Sequence, residues 1–533
     1  MIRKSILFVV LAVVAASCAN PDGQCKYGPR EIGPIISDGT TVAQTVYGKV
    51  QGYKDGDVYA FKGIPYAKAE RFMPPQSPDR HDDVMLCRTY GPKTPQTSTS
   101  LAYRPDPSDY GFVFQFNVEP VDEDECLVLN VWTKGLDHGK RPVFVWIHGG
   151  GFASGSGNDL PCYEGRALAE KGDIVVVNLN HRLNILGYID LRGLGGKYSE
   201  SVNLGMQDLV KALEWVRDNI EAFGGDPDNV TIAGQSGGGG KVNTLMAMPS
   251  AMGLFHRAIA QSGSWVLHNN DADGKALGMA VMDELGVTPA NAAEKLSSFT
   301  YRELAMAGNR ASAKLGSSGF CPTVDGKYVI DPAFDSEAPE ISRNIPMIIG
   351  SNKNEFTYDN SPVMTQEEAE DMLVRLMGKE KAMAYVKEYD KAYPGHTPQD
   401  MLYTDSFLRK AAVKMADMKS AQGSADVYMY FFTWKPANNA LGACHGMELP
   451  FVFNNIALQR EMTGGTLEAY RLADLISSSW ISFIRTGNPN VKGLPEWEPY
   501  TAENGNTMIF DNECTVVHNH DRGLMQFDLP RHF

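Results

Sequence analysis

The sequence predicts an α/β protein with a central, mostly parallel sheet flanked by helices. Three observations predict it. Apolar runs at Val143-Phe144-Val145-Trp146-Ile147, Ile174-Val175-Val176-Val177, Met347-Ile348-Ile349 and Tyr428-Met429-Tyr430-Phe431-Phe432 lack polar alternation, as strands buried on both faces do. Between them, Met206, Leu209, Leu213, Val216, Ile220 and Phe223 recur at three-to-four spacing before Gly224-Gly225-Asp226-Pro227, an amphipathic helix and its breaker. A short strand at Val230-Thr231-Ile232-Ala233 then passes through a glycine-rich turn into a helical stretch from Lys241 to Met248. That is the strand–turn–helix alternation of an α/β sheet.

Residues 1–17 read as a targeting segment. Arg3 and Lys4 are basic, and Ile6 to Ala16 is apolar but short for a bilayer. Val14-Ala15-Ala16-Ser17-Cys18 resembles a bacterial lipobox, which would make a lipidated Cys18 the first mature residue. Plain secretory cleavage nearby is the alternative. Either route exports the chain, to the cell envelope as a lipoprotein or to the periplasm or medium. Residues 18–40, rich in glycine and proline, read as a tether. Residues 41–533 show no internal repeat, low-complexity tract or clear linker and read as one domain with large loop and helical insertions. The formal net charge of -15 argues against nucleic acid or an anionic membrane surface as the main partner. The expected membrane contact is the N-terminal lipid anchor alone. No pair among the eight cysteines has C-x-x-C spacing, so no zinc or redox motif is expected. Export permits disulfides.

The turn Gly234-Gln235-Ser236-Gly237-Gly238-Gly239-Gly240-Lys241 admits two chemistries. A phosphate-binding loop needs G-x-x-x-x-G-K-[ST], but Gln235 stands where the first glycine belongs and Val242 where the hydroxyl belongs. A nucleophile elbow needs G-x-S-x-G between a strand and a helix, and Gly234 to Gly238 supply it. A serine hydroxyl is a weak nucleophile, so it needs a base, an acid to orient the base, and donors for the oxyanion. His148-Gly149-Gly150-Gly151-Phe152 directly follows the strand at 143–147. Glycines there let backbone N–H groups approach a developing negative charge. The candidate donors are Gly150 and Gly151, with Gly237 just after the serine. His148 itself reads as structural.

In such folds the base follows the acid, in the order serine, acid, histidine. Histidines after Ser236 are His256, His268, His396, His445, His518, His520 and His532. His256 reads as packing, His268 and His396 as surface loop and turn, and the last three as a polar tail. His445 follows a buried strand by a glycine-containing loop, the address a base requires. Glu355 is the first carboxylate after the strand at 345–350, and Asp359 is the alternative.

With these residues the chain resembles the type-B carboxylesterase and cholinesterase family, a group with the α/β-hydrolase fold. The resemblance spans nearly the whole mature chain. Its pieces include Phe61-Lys62-Gly63-Ile64-Pro65-Tyr66-Ala67, Glu125-Cys126-Leu127-Val128-Leu129-Asn130, the H-G-G-G-F loop, Asn203-Leu204-Gly205-Met206-Gln207-Asp208, the elbow, Gln261-Ser262-Gly263 and Pro495-Glu496-Trp497. It implies Ser236 as nucleophile, Glu355 as acid and His445 as base, the same three residues. It further implies Ser262 as a hydrogen-bonding support near the acid and a Cys87–Cys126 disulfide. Two motifs depart from the family's usual G-E-S-A-G and D-E-G. The elbow has Gln235 and Gly237, and the acid loop reads Asn354-Glu355-Phe356. Where acyl-selective members carry bulky aromatics, this chain has Leu315-Gly316-Ser317-Ser318-Gly319, which predicts an open acyl pocket. The expected function is a serine carboxylesterase acting on a small-molecule ester without cofactor or metal. Lipase, thioesterase or amidase variants would use the same machinery. A non-catalytic binding protein is the alternative from another class. The sequence leaves the oligomeric state open.

Overall fold

The computed structural model describes residues 34–97, 109–264, 267–357 and 363–529. The targeting segment, Cys18, most of the tether and Asp359 lie outside the described residues.

Among the described residues, twelve strands join in one sheet. They are β1 (Ile35–Ile36), β2 (Tyr53–Asp55), β3 (Val58–Pro65), β4 (Val128–Thr133), β5 (Arg141–Ile147), β6 (Val175–Leu179), β7 (Gly225–Gln235), β8 (Arg257–Gln261), β9 (Met347–Asn352), β10 (Val427–Phe432), β11 (Asn506–Phe510) and β12 (Thr515–His518). Their order across the sheet is β1-β2-β3-β4-β6-β5-β7-β8-β9-β10-β11-β12. Every pairing from β6 to β11 is parallel, and both edges are antiparallel.

The missing alternation in the apolar runs has its cause in two buried faces. Val143, Val145 and Ile147 of β5 share a core with Leu209 and Leu213 of α1 (Leu204–Asn219) and Val242 of α2 (Gly237–Leu245). Phe144 and Trp146 belong to a second core with Ile476 and Trp480 of the helix Leu467–Thr486. Two insertions carry cores of their own. Between β8 and β9, α3 (Asp271–Leu285) and α4 (Tyr301–Leu315) close around Leu277, Val281 and Leu304. Between β9 and β10, α5 (Gln366–Met377) and α6 (Lys379–Ala392) enclose Leu373, Tyr385 and Tyr389. No helix among the described residues is long and apolar enough to cross a membrane.

The structure moves two predicted boundaries. The strand expected at 230–233 extends over Gly225–Gln235. The helix expected from Lys241 already begins at Gly237. Glycine is a poor helix former, but tertiary packing overrides propensity here. A Cβ on Gly238 would stand 2.1 Å from the Ile147 carbonyl oxygen, so the first turn of α2 lies directly against β5.

The Cys87–Cys126 disulfide is not formed. Both cysteines are buried free thiols, and Cys162, Cys321, Cys444 and Cys514 are free as well. The Cys126 thiol turns to the Glu123 carbonyl oxygen at 3.4 Å. Burial pushes the Cys87 and Cys126 thiols up to about 12, which keeps them protonated and unreactive at neutral pH.

A buried ion pair ties the segment after β6 to α1. Arg182 donates from its side chain to both Asp208 oxygens, at 2.9 and 2.7 Å, and the Arg182 backbone N–H donates to Asp208 at 3.0 Å. The side chains are 3% and 0% exposed. Removing one partner strands the other charge in the core, so Arg182→Met is expected to cost about 3–5 kcal/mol. Chemical unfolding measures it against Arg217→Met, a surface change expected to stay within ~0.5 kcal/mol. Equal midpoints for the two variants would overturn the expectation.

Candidate active site

The predicted site residues meet at the carboxyl ends of the parallel strands, where ligands of open α/β sheets bind. β7 ends at Gln235, and Ser236 caps α2 with φ 59° and ψ -128°. A non-glycine residue at positive φ is strained. It is held by its own backbone, because the Ser236 N–H donates to the Gln261 carbonyl at 2.8 Å. One strand further on, the N–H of Ser262 donates in the same way to Gly350 at 2.8 Å. The sheet's hydrogen bonding thus runs on past the strand ends and fixes the turns that follow.

Glu355 and His445 come together from the loops after β9 and β10. The Nδ1–H of His445 donates to Glu355 Oε2 at 2.6 Å, and its backbone N–H donates to the Glu355 carbonyl at 2.8 Å. The other carboxylate oxygen, Oε1, accepts from the Asn352 N–H at 2.8 Å. Glu355 is 0% exposed and sits at φ 32°. Both are marks of a side chain locked in one orientation. With the proton on Nδ1, the outward Nε2 of the imidazole is the acceptor. It accepts from the Gln235 amide at 3.2 Å, and among the described residues no hydrogen bond joins it to the Ser236 hydroxyl. Catalytic hydrogen bonds are commonly loose before substrate binds.

Ser262 does not take the expected supporting role, since its buried hydroxyl has no partner among the described residues. The support comes from residues that sequence reasoning missed. Asn352 donates from its side chain to Glu448 at 2.6 Å, and Gln261 donates to the same carboxylate at 3.1 Å. Burial first, and the charge of Glu355 second, hold Glu448 above the usual carboxylate range. Phe356, the departure from D-E-G, lays its ring 4.1 Å from the imidazole of His445, centre to centre. The visible signal for it was an aromatic side chain in place of the family's glycine.

Ser236, His445, Gly150, Gly151 and Gly237 all line one cavity of about 1500 Å³. Gly150 and Gly151 take φ of 84° and 61°, which glycine adopts readily. Among the described residues, the N–H groups of Gly150, Gly151 and Gly237 have no acceptor. Ser317, Ser318 and Gly319 of the stretch expected to leave an open pocket line the cavity from the insertion between β8 and β9, as do Phe114 and Phe116 from between β3 and β4. No cluster of three or more His, Cys, Asp or Glu side chains that could hold a metal occurs among the described residues. Chemically, the arrangement offers a hydroxyl, an acceptor imidazole backed by a carboxylate, and unpaired N–H donors around one volume.

Comparison with known proteins places the chain in a family. The model of the Carboxylesterase family matches residues 39–527. Para-nitrobenzyl esterase of Bacillus subtilis (strain 168) is 34% identical over 489 residues, covering 89% of this chain and 96% of that protein. Phenmedipham hydrolase of Pseudarthrobacter oxydans is 31% identical over 504 residues, with 89% and 96% covered. Among solved structures, an esterase from Clostridium hathewayi described as hydrolysing aliphatic aromatic polyesters superposes with a TM-score of 0.84 at 37% identity. It covers 92% of this chain and 98% of its own. With a family model spanning residues 39–527 and relatives matched over nearly nine-tenths of its length, the chain belongs to the carboxylesterase family as a carboxylic ester hydrolase of α/β-hydrolase fold.

Proposed function

We propose that the protein hydrolyses esters through a Ser236–His445–Glu355 triad and an acyl-enzyme intermediate. The observation that carries this reading is the 2.6 Å bond to buried Glu355 from His445, which lines the same cavity as the strained Ser236. Substrate entry displaces the Gln235 amide from Nε2, and the Ser236 hydroxyl takes its place. Ser236 Oγ attacks the carbonyl carbon while its proton passes to Nε2. The oxyanion is held by the N–H groups of Gly150, Gly151 and Gly237. The imidazolium then gives its proton to the departing alkoxide as the ester C–O bond breaks, which leaves the acyl group on Ser236. Water repeats the sequence, with its proton going to Nε2, and the carboxylic acid leaves.

The shape of the cavity supports esters with a bulky aryl group. Tyr110, Phe114 and Phe116 form one aromatic wall, with Tyr110 and Phe114 stacked at 3.9 Å and Phe114 and Phe116 at 6.1 Å. The names of the two relatives that refer to para-nitrobenzyl and aromatic polyester substrates are consistent with that choice. The test is a panel of 4-nitrophenyl esters of rising acyl length, 4-nitrobenzyl acetate and matched anilides, with an organophosphate to label the nucleophile. Short to medium esters and the benzyl ester are expected to turn over, with one adduct on the Ser236 peptide. A preference for emulsified long-chain triglyceride or for the anilides overturns the substrate class. An adduct elsewhere overturns the nucleophile.

Gly237 carries a separate prediction. A Cβ at this position would stand 2.2 Å from the Gly151 carbonyl oxygen. Gly237→Ala therefore pushes the two sets of oxyanion donors apart and is expected to lower kcat about a hundredfold, the order of losing one donor. Steady-state kinetics with unchanged KM and lowered kcat is the expected result. A wild-type kcat would show that the alanine fits.

A further inference from the structure

The lysine that closes the glycine run takes no part in the steps above, yet it lies beneath them. Lys241 stands on α2, five residues after Ser236, and is 0% exposed. Its ammonium donates to the His148 carbonyl oxygen at 3.1 Å and lies 5.7 Å from the centre of the Phe152 ring. His148 and Phe152 are the two ends of the segment that carries Gly150 and Gly151. No carboxylate pairs with Lys241 among the described residues. A buried charge without a close counter-charge is costly, and a packing role alone would be served by an apolar side chain of similar length.

We infer that Lys241 is a positioning residue whose ammonium form anchors the His148–Phe152 segment from below and sets a positive charge behind the N–H groups of Gly150 and Gly151. This rests on the oxyanion role proposed for those glycines. A fixed cation behind preorganised donors favours the negative charge that develops in the transition state.

The ammonium is also able to switch. Burial pushes Lys241 down to about 7, and the Asp159 carboxylate opposes that shift. The groups facing it are His148 and the His181 ring stacked on His148 at 4.9 Å, and then Asp159, which has Glu119 beyond it and Lys93 paired with Glu119. Burial, with the Lys241 charge second, holds both imidazoles well below the usual histidine range, so they stay neutral. Burial and Glu119 raise Asp159 to about 7, so its ionisation overlaps that of Lys241 and favours the ammonium. Catalysis therefore weakens toward alkaline pH as Lys241 loses its proton.

The experiment measures kcat and KM for a 4-nitrophenyl ester from pH 5 to pH 10 in the wild type, Lys241→Met and Asp159→Asn. Reactive sites are counted with an organophosphate, and Ser236→Ala is the blank. In the wild type, kcat is expected to fall about tenfold on the alkaline side, less than the loss of a direct donor. Lys241→Met should lack the alkaline fall and start about tenfold lower at neutral pH, with KM within about twofold. Asp159→Asn should move the fall to lower pH. A wild-type profile with no alkaline fall overturns the inference. So does a Lys241→Met protein with a full count of reactive sites and the wild-type curve. Should Lys241→Met lose its reactive sites, an unmoved fall in Asp159→Asn overturns it. An active Ser236→Ala instead overturns the triad, which is a separate failure.

Discussion

Ser236→Ala is expected to lower kcat about a million-fold while leaving the fold intact. The strand, the turn and the helix around it are set by glycine contacts and by the backbone bond from the Ser236 N–H to Gln261 at 2.8 Å. None of these uses the hydroxyl. Alanine accepts the same strained backbone about as well as serine does. The nucleophile and the base act as one unit, so the penalties of Ser236→Ala and His445→Ala are not expected to add. Each single variant and the double variant should converge on one residual rate, supplied by the cavity and the unpaired N–H donors. Single-turnover measurements with a 4-nitrophenyl ester would read it, because a variant without Oγ gives no burst. A Ser236→Ala protein within tenfold of the wild type, or a double variant far below either single one, would remove the shared step.

Much of this site was legible because its parts answer to local constraints. An elbow needs small residues beside a serine between a strand and a helix, and Gly234 to Gly238 could serve little else once Val242 excluded a phosphate loop. Glu355 and His445 were recoverable because each follows a fully buried apolar strand, at 347–352 and 427–432. Features set by long-range approach were not recoverable. The helix can begin as early as Gly237 because glycine there and at Gly238 lets the chain pack directly against Gly151 and Ile147. His268, expected on a surface loop, is drawn inward until burial pushes it down to about 4. Glu448 looks like an ordinary polar residue in sequence, and only the crossing of the loops after β9 and β10 brings it onto the Asn352 side chain and within reach of the Glu355 charge. Lys241 had a signal of its own, a lysine set between the glycine run and the helical stretch Val242 to Met248.

Glu355→Gln is expected to cut kcat about ten-thousandfold without loss of stability. The geometry dictates how. The Asn352 N–H, 2.8 Å from Oε1, requires an oxygen on that side of the side chain. A glutamine must then turn its NH2 toward His445 Nδ1, where the carboxylate now accepts at 2.6 Å. Facing a donor, Nδ1 gives up its proton and becomes an acceptor, so the proton moves to Nε2. The ring then has nothing left to accept the Ser236 proton, and the imidazolium loses the anion that stabilises it. Stability runs the other way. Glu448 and Asp405 are both raised by burial and then by the charge of Glu355. A carboxyl group raised in the folded state costs stability as it ionises with rising pH. Removing the third charge lightens that cost, so unfolding of Glu355→Gln at neutral pH should occur at or above the wild-type temperature. A large fall in kcat together with a maintained melting temperature separates orientation of the base from damage to the fold. A kcat within tenfold of the wild type would assign the orienting role to another group.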